Sequence, residues 1–159
     1  MKRLLVVSDT HGRANLPAIA RLAEGCDLIV HLGDGFKDGQ QLALMQPVPI
    51  VQVLGNNDLP LDVVPEKQIE LEGWPILLTH GHRHGVKHDL VKLVGHADDM
   101  DCRLVLFGHI HRRAYQDAGR VQAFCPSSAA YNYDGTPPSV GLIDFFPDRI
   151  AHHWLPIDA

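Results

Sequence analysis

Aspartate and histidine recur in this chain just past short apolar runs, usually beside a glycine. "LLVVSDTHG" ends on Asp9 and His11, "LIVHLGDG" on Asp34, and "IVQVLGNND" on Asn56, Asn57 and Asp58. "ILLTHGH" ends on His80 and His82, and "LVLFGHIH" on His109 and His111. A single Asp after a strand is most often a turn residue or a helix cap. Five such endings in the same relation to five apolar runs ask for a common cause. Carboxylate, amide and imidazole donors without a thiolate favour Mn²⁺, Fe²⁺ or Zn²⁺ over Cu(I) or an iron–sulfur cluster. Two Asp, one Asn and four His exceed what one ion with an open position can use. With one bridging carboxylate they serve two ions, and two ions about 3.5–4 Å apart clamp a phosphoryl group and hold the attacking hydroxide. The chemistry this points to is hydrolysis of phosphate esters.

Such donors need a rigid base. "RLLVV" (Arg3 to Val7), "DLIVHL", "PIVQVL", "WPILLT" and "CRLVLF" read as strands, and in α/β sheets ligands gather at the carboxyl edge. Glycine beside a ligand lets the backbone leave a strand sharply. "NLPAIARLAEG" reads as a helix, with Asn15 as N-cap, Pro17 in the first turn and Gly25 at the stop. A short helix is expected over Gln40 to Met45. A Pro-punctuated loop follows the third strand, and "KQIELEG" then alternates like an edge strand. Val86, Leu90, Leu93, Val94 and Ala97 recur at helical spacing. From Arg113 on, short β runs ("RVQAF", "SVGLIDFF", "RIAHHWL") sit among Pro and Gly. The order predicts an α/β fold of two packed β-sheets flanked by helices, in a single domain over residues 1–159.

Bulk properties exclude several classes. The 159 residues are 45% apolar and 21% charged, with a net charge of −5. No cationic run exceeds Arg112–Arg113, so long nucleic acid is not the expected partner. Cys26, Cys102 and Cys125 form no C-x-x-C pair and read as core residues in a reducing compartment. The apolar run Leu4 to Val7 is too short for a signal segment, and no stretch approaches a membrane span. The expected location is cytoplasmic, away from membranes. Nothing in the sequence decides against a homo-oligomer.

"SDTHG", "GDG", "GNND", "THGH" and "GHIH" together resemble the ordered motifs of the calcineurin-like metallophosphoesterase superfamily, in its small YfcE-like phosphodiesterase branch. The resemblance implies a two-sheet β-sandwich flanked by helices and a dinuclear phosphoesterase, most simply a phosphodiesterase, working through a metal-bridging hydroxide. It implies that Asp9, His11 and His111 bind one ion, that Asp34 bridges, and that Asn56, His80 and His109 bind the other. Mn²⁺ is the expected metal, with Fe²⁺, Zn²⁺ or Ni²⁺ as alternatives, and the partner a small phosphate-ester substrate. In an extended segment residues two apart share a side, so His109 and His111 are expected to face the centre together.

Two departures stand out. Where many relatives have a phosphate-contacting His, this chain has Asn57, which donates a hydrogen bond but cannot shuttle a proton. Asp58 would orient that His and loses its obvious partner, while His82 remains as a proton source. The catalytic candidates are thus Asn57, Asp58 and His82. "CPSSAA" (Cys125 to Ala130) stands where relatives often carry an N-P-G-S turn and can border the substrate pocket. The other histidines read as structural or superficial: His31 as core or second layer, His84, His88 and His96 on or beside a helix, with His84 a candidate for the cleft mouth, and His152 and His153 on the surface. Arg13 reads equally as a contact for the substrate phosphate and as a solvated loop cation. The alternative function is a catalytically silent interaction scaffold of the same fold, as in a retromer subunit whose like has lost part of the ligand set. A single-metal hydrolase would leave "GNND" and "GDG" without a role.

Overall fold

A computed structural model describes residues 1–59 and 63–157. The Pro-punctuated loop expected after the third strand lies partly outside the described residues. The elements run β1 (Lys2–Val7), α1 (Leu16–Leu22), β2 (Leu28–His31), α2 (Phe36–Met45), β3 (Ile50–Gln52), β4 (Glu66–Leu71) and β5 (Trp74–Thr79). A 3-10 turn (His82–His84) follows, then α3 (Val91–Asp99), β6 (Leu104–Leu106), β7 (Arg113–Asp117), β8 (Gln122–Pro126), β9 (Ser139–Phe145) and β10 (Ile150–Pro156).

The strands form two mixed five-stranded sheets, ordered β10-β9-β1-β2-β3 and β4-β5-β6-β8-β7. β1, β2 and β3 are parallel, as are β5, β6 and β8. In "LLVV" alternate side chains serve different layers. Leu4 and Val6 meet Ile76, Leu78, Leu104, Leu106 and Phe124 between the sheets. Leu5 and Val7 face the other way, onto Ala18 and Ile19 of α1. A strand covered on both faces has no polar positions, which is why the central runs are uninterrupted. The far face of the second sheet packs Leu77, Val105 and Ala123 against Leu93 and Ala97 of α3. β4, at an edge, keeps the polar alternation read from "KQIELEG".

Local signals behave as expected around α1, where the Asn15 side chain accepts from the Ala18 amide. Three elements differ from the sequence reading. α2 begins at Phe36, four residues before Gln40, its first turn standing directly on the loop of Asp34. Val86 and Leu90 lie outside α3, Val86 being buried in the turn region that precedes it. "RAYQD" is a strand, β7, paired antiparallel with β8. Its exposed edge position gives it no apolar pattern to read.

Phe124 is fully buried between the sheets, stacked 5.2 Å from the Trp154 ring and pressed against Gly141 of β9. Phe124→Ala leaves a void that the two sheets cannot close without losing Trp154 and Gly141 as partners. It is expected to destabilise the chain by about 3–5 kcal/mol in urea unfolding. A loss well under 1 kcal/mol refutes this account of the inter-sheet core.

Candidate metal centre

Parallel strands point their carboxyl ends the same way, and the donors gather at the rim that the two sheets share. β1, β2 and β3 deliver Asp9, Asp34 and the Asn56–Asp58 loop from one sheet, while β5 and β6 deliver His80 and His109 from the other. Loop-to-loop hydrogen bonds tie the rim together: Asp9 N to Gly33 O and His11 N to Asp34 O, each 3.0 Å, and Gly108 N to His80 O, also 3.0 Å. The centre is thus built from two sheet edges rather than one.

Six of the seven ligand candidates fall into two clusters, Asp9–His11–His111 and Asp34–His80–His109, with the donor atoms of each cluster within 4.8 Å of one another. Asn56 is exposed and makes no side-chain hydrogen bond among the described residues. The polar atoms are oriented from behind. The Nδ1–H of His80 donates to the Leu32 carbonyl at 2.8 Å, and that of His111 to the Tyr131 carbonyl at 3.0 Å. Each Nε2 therefore offers a lone pair in the neutral ring, the arrangement that metal-binding imidazoles use.

Those lone pairs face carboxylate oxygens. Asp9 Oδ1 lies 3.3 Å from His111 Nε2, 3.7 Å from His11 Nε2 and 3.8 Å from His80 Nε2. Asp34 Oδ2 lies 3.4 Å from His80 Nε2 and 3.7 Å from His11 Nε2. The two ring nitrogens His11 Nε2 and His111 Nε2 are 3.3 Å apart. Asp9 Oδ1 and His80 Nε2 are buried and make no hydrogen bond among the described residues. A buried acceptor without a donor costs about 1–3 kcal/mol. Acceptors converging on one point at these spacings are what a cation between them would relieve, and the oxygen–imidazole donor set suits a divalent metal.

The backbone is bent to make this possible. Asp9, His11, Asp34, His109 and His111 all have φ between 49° and 73°, the left-handed region. Non-glycine residues there are uncommon and gather at functional sites, at a cost of about 1–3 kcal/mol each when strained. His109 and His111 therefore do not face the centre by strand alternation, since β6 has ended at Leu106. Two left-handed residues flanking Ile110 send one ring to each cluster. Gly108 is needed for a different reason: a side-chain carbon there would lie 2.6 Å from Asp9 Oδ2.

The two departures resolve differently from the sequence reading. Asp58 is not without partners: its carboxylate accepts from the amides of Asp34, Gly35, Phe36 and Gly55 at 2.8–3.0 Å. It holds the Asp34 loop rather than a neighbouring side chain. Asn57 is bound to Asp34 twice, through its own amide N–H to Oδ1 and its side-chain Nδ2 to Oδ2, both 2.8 Å. His82 stands beside the second cluster, its ring 5.4 Å from that of His80 and 6.2 Å from that of His109. His31 is buried in a second layer. Its Nδ1 accepts from the Gly33 amide, so Nε2–H donates to Thr10 Oγ1 at 3.0 Å.

"CPSSAA" turns out to be a buttress. β8 is parallel to β6, so its carboxyl end reaches the same rim. Ser128 Oγ donates to the Asp9 carbonyl at 2.7 Å, and the Ala129 amide to the Ser8 carbonyl. Just beyond, the Tyr133 ring stacks on His111 at 4.7 Å, and the Tyr131 ring lies 5.7 Å from His11. Sequence reasoning singled out the segment that holds Ser128 but passed over Tyr131 and Tyr133. The available signal was the "YNY" directly after a strand end of the same kind as the other five. Arg13 is exposed, His88 and His153 are exposed as expected, and His152 is half-buried, stacked on Tyr115 at 4.1 Å.

Electrostatics follow the geometry. Burial alone would push the Asp9 carboxyl up, but His11, His111 and His80 with the Ser8 hydroxyl hold it well below the carboxylate range. Burial also opposes the charge on Asp34, yet His80 and Asn57 bring it down to about 2. Asp9 raises His11, and for His80 the two carboxylates outweigh burial. His109 moves the other way, to about 4, through burial and the nearby charge of His80.

A family model described as the calcineurin-like phosphoesterase superfamily domain matches residues 1–146. The chain belongs to that superfamily. A probable metallophosphoesterase, YsnB of Bacillus subtilis, is 34% identical over 110 residues, covering 68% of this chain and 63% of the relative. The match thus spans slightly under two thirds of that relative's length. The phosphodiesterase YfcE of Escherichia coli K12 is 28% identical over 171 aligned positions, covering 91% of this chain and 88% of its own. Among solved structures, Vps29 of Entamoeba histolytica complexed with Zn²⁺ superposes with a TM-score of 0.79 at 20% identity, over 96% of this chain and 98% of that one. This last likeness concerns the fold, and it agrees with the two-sheet α/β architecture. The family is metal-dependent, and no helix among the described residues is long and apolar enough to cross a membrane.

The neutral state of folded His109 has a consequence for the metal-free chain. An imidazole at its ordinary 6.5 when unfolded but near 4 when folded contributes stability above 6.5 that is lost as pH falls through that interval. His109→Gln should therefore flatten the acid-side fall in melting temperature of the metal-free chain between those values. An equally steep fall in the variant refutes the shift.

Proposed function

We propose that this chain hydrolyses small phosphate esters, with diesters the best fit, at a centre that holds two divalent ions. The observation that carries the reading is the pair of three-donor clusters on one rim, with Asp9 Oδ1 and His80 Nε2 buried and lacking hydrogen-bond partners among the described residues. Asp9, His11 and His111 take one ion, and Asp34, His80 and His109 the other. Asp34 is suited to bridge, since its Oδ2 lies between His11 and His80 of different clusters. Asn56 joins the second set by its place in "GNND". Bound divalent ions supply Lewis acidity and an activated water for attack on phosphorus. Mn²⁺ is the favoured metal, and a cytoplasmic location the favoured setting.

The chain's own residues do the rest. A cleft of about 980 Å³ opens beside His11, Asp34 and Asn57, with Lys37 on its wall to meet a negative substrate. Asn57 fixes Asp34 and brings no proton to the leaving group. His82, whose ring stands beside those of His80 and His109, is the imidazole that takes that task. Burial lowers its affinity for a proton. A weak acid supply favours esters whose leaving groups depart without protonation. The YfcE relative, named a phosphodiesterase, supports the activity. A silent scaffold has less support, because it leaves unexplained why five donor residues hold left-handed backbone around unpaired buried acceptors.

Metal counting with an assay of bis(p-nitrophenyl) phosphate in Mn²⁺ tests the reading. Two metals per chain with turnover that a chelator abolishes is the expected outcome. No metal and no turnover after reconstitution returns the scaffold, and one metal with amide hydrolysis returns the single-metal alternative. A second measurement addresses the proton. Asn57→His is expected to make the rate less dependent on leaving-group pKa, and an unaltered dependence removes the argument about Asn57.

A further inference from the structure

Glu66, His84 and His96 form a third group of donor side chains, away from the two clusters on the rim. Glu66 opens β4 opposite Thr79 of β5, His84 closes the 3-10 turn, and His96 rides on α3. All three donor atoms lie within 4.8 Å of one another. His84 Nε2 is 2.7 Å from one oxygen of Glu66 and His96 Nε2 is 2.8 Å from the other. The two rings stack at 4.7 Å with 23° between their planes. Thr79 Oγ1 also donates to the carboxylate, at 3.3 Å. Two imidazoles from different elements thus bring the same ring nitrogen to a single carboxylate. Neither Nδ1 makes a hydrogen bond among the described residues.

We propose that Glu66, His84 and His96 bind a divalent transition-metal ion of the zinc class, at a site separate from the rim. Two imidazoles and a carboxylate are an established zinc donor set, with bonds of about 2.0–2.2 Å. A tetrahedral ion at those bond lengths holds its donors about 3.3–3.5 Å apart, so the Nε2–O separations, now 2.7 and 2.8 Å, must open by about 0.6 Å. The proton balance closes locally: in a neutral ring the hydrogen leaves Nε2 and one returns at the free Nδ1, while a cationic ring releases a proton to solvent. Side-chain exposure of 34% at His96 and 15% at His84 leaves room for water to complete the coordination. An ion there would cross-link β4, α3 and the 3-10 turn.

The experiment counts zinc retained per chain after dialysis of the full-length protein, comparing wild type with Glu66→Gln and His96→Asn. Each variant is expected to hold one zinc fewer, with hydrolysis of the aryl diester preserved. Equal counts in all three chains overturn the proposal. A readout on the wild type guards against a variant that folds poorly: ¹⁵N resonances of the His84 and His96 rings should move to metal-bound positions as zinc is added beyond what the rim takes up. Rings that do not respond overturn it as well. Hydrolysis of the aryl diester reports the rim in these variants and the zinc difference reports the third site, so the site can fail without touching the proposed hydrolase, and the reverse.

Discussion

A buried carboxylate oxygen at the rim shared by the two sheets has no hydrogen-bond donor among the described residues. Asp9 Oδ1 is enclosed by three imidazole nitrogens at 3.3–3.8 Å. Two of those rings have their N–H turned the other way by backbone carbonyls. Lone pairs that converge in a low-dielectric interior repel, and the energy is recovered only when positive charge stands among them. Most of the surrounding architecture holds them there regardless. The other Asp9 oxygen is fastened by Ser8 Oγ at 2.6 Å and the His109 amide at 3.0 Å. Asp34 is fastened by Asn57, and the loop of Asp34 by Asp58.

Holding repelling groups together needs a stiff frame, and the two sheets supply it. Each central strand is packed on both faces, so its carboxyl end cannot shift without disturbing two hydrophobic layers. The left-handed residues then sit at the first free positions past those ends, where backbone strain is sustained by strands that do not give. Gly55 and Gly108 let neighbouring loops close on Asp34 and Asp9 with no side chain in between.

Much of this was legible in the residues. The apolar runs located the central strands because burial on both faces removes polar positions, and the motif at each strand end located the donors. What the sequence could not convey was placement across long separations. Nothing in "GHIH" announces two left-handed residues, and alternation gave the right destination for His109 and His111 by the wrong local geometry. Asp58 and Asn57 carry the same letters whether they serve substrate or scaffold; only the amides around them decide. β7 escaped notice because an exposed edge strand has no hydrophobic pattern. Ser128 acts through its hydroxyl and Tyr131 through its backbone carbonyl, and neither role is marked by a motif. His84 and His96 read as surface residues since their shared partner, Glu66, is 18 and 30 positions away.

The donors come from opposite ends of the chain's first two thirds, Asp9 and His109 being 100 residues apart where they touch. During synthesis the amino-terminal half emerges with Asp9, His11 and Asp34 but without the imidazoles that complete either set. A nascent chain of that length offers an ion only a few loose ligands, which hold it weakly. Loading must wait for the second sheet to dock, and loop closure over such a span is among the later events in folding. Assembly in that order makes ion capture a mark of the finished molecule.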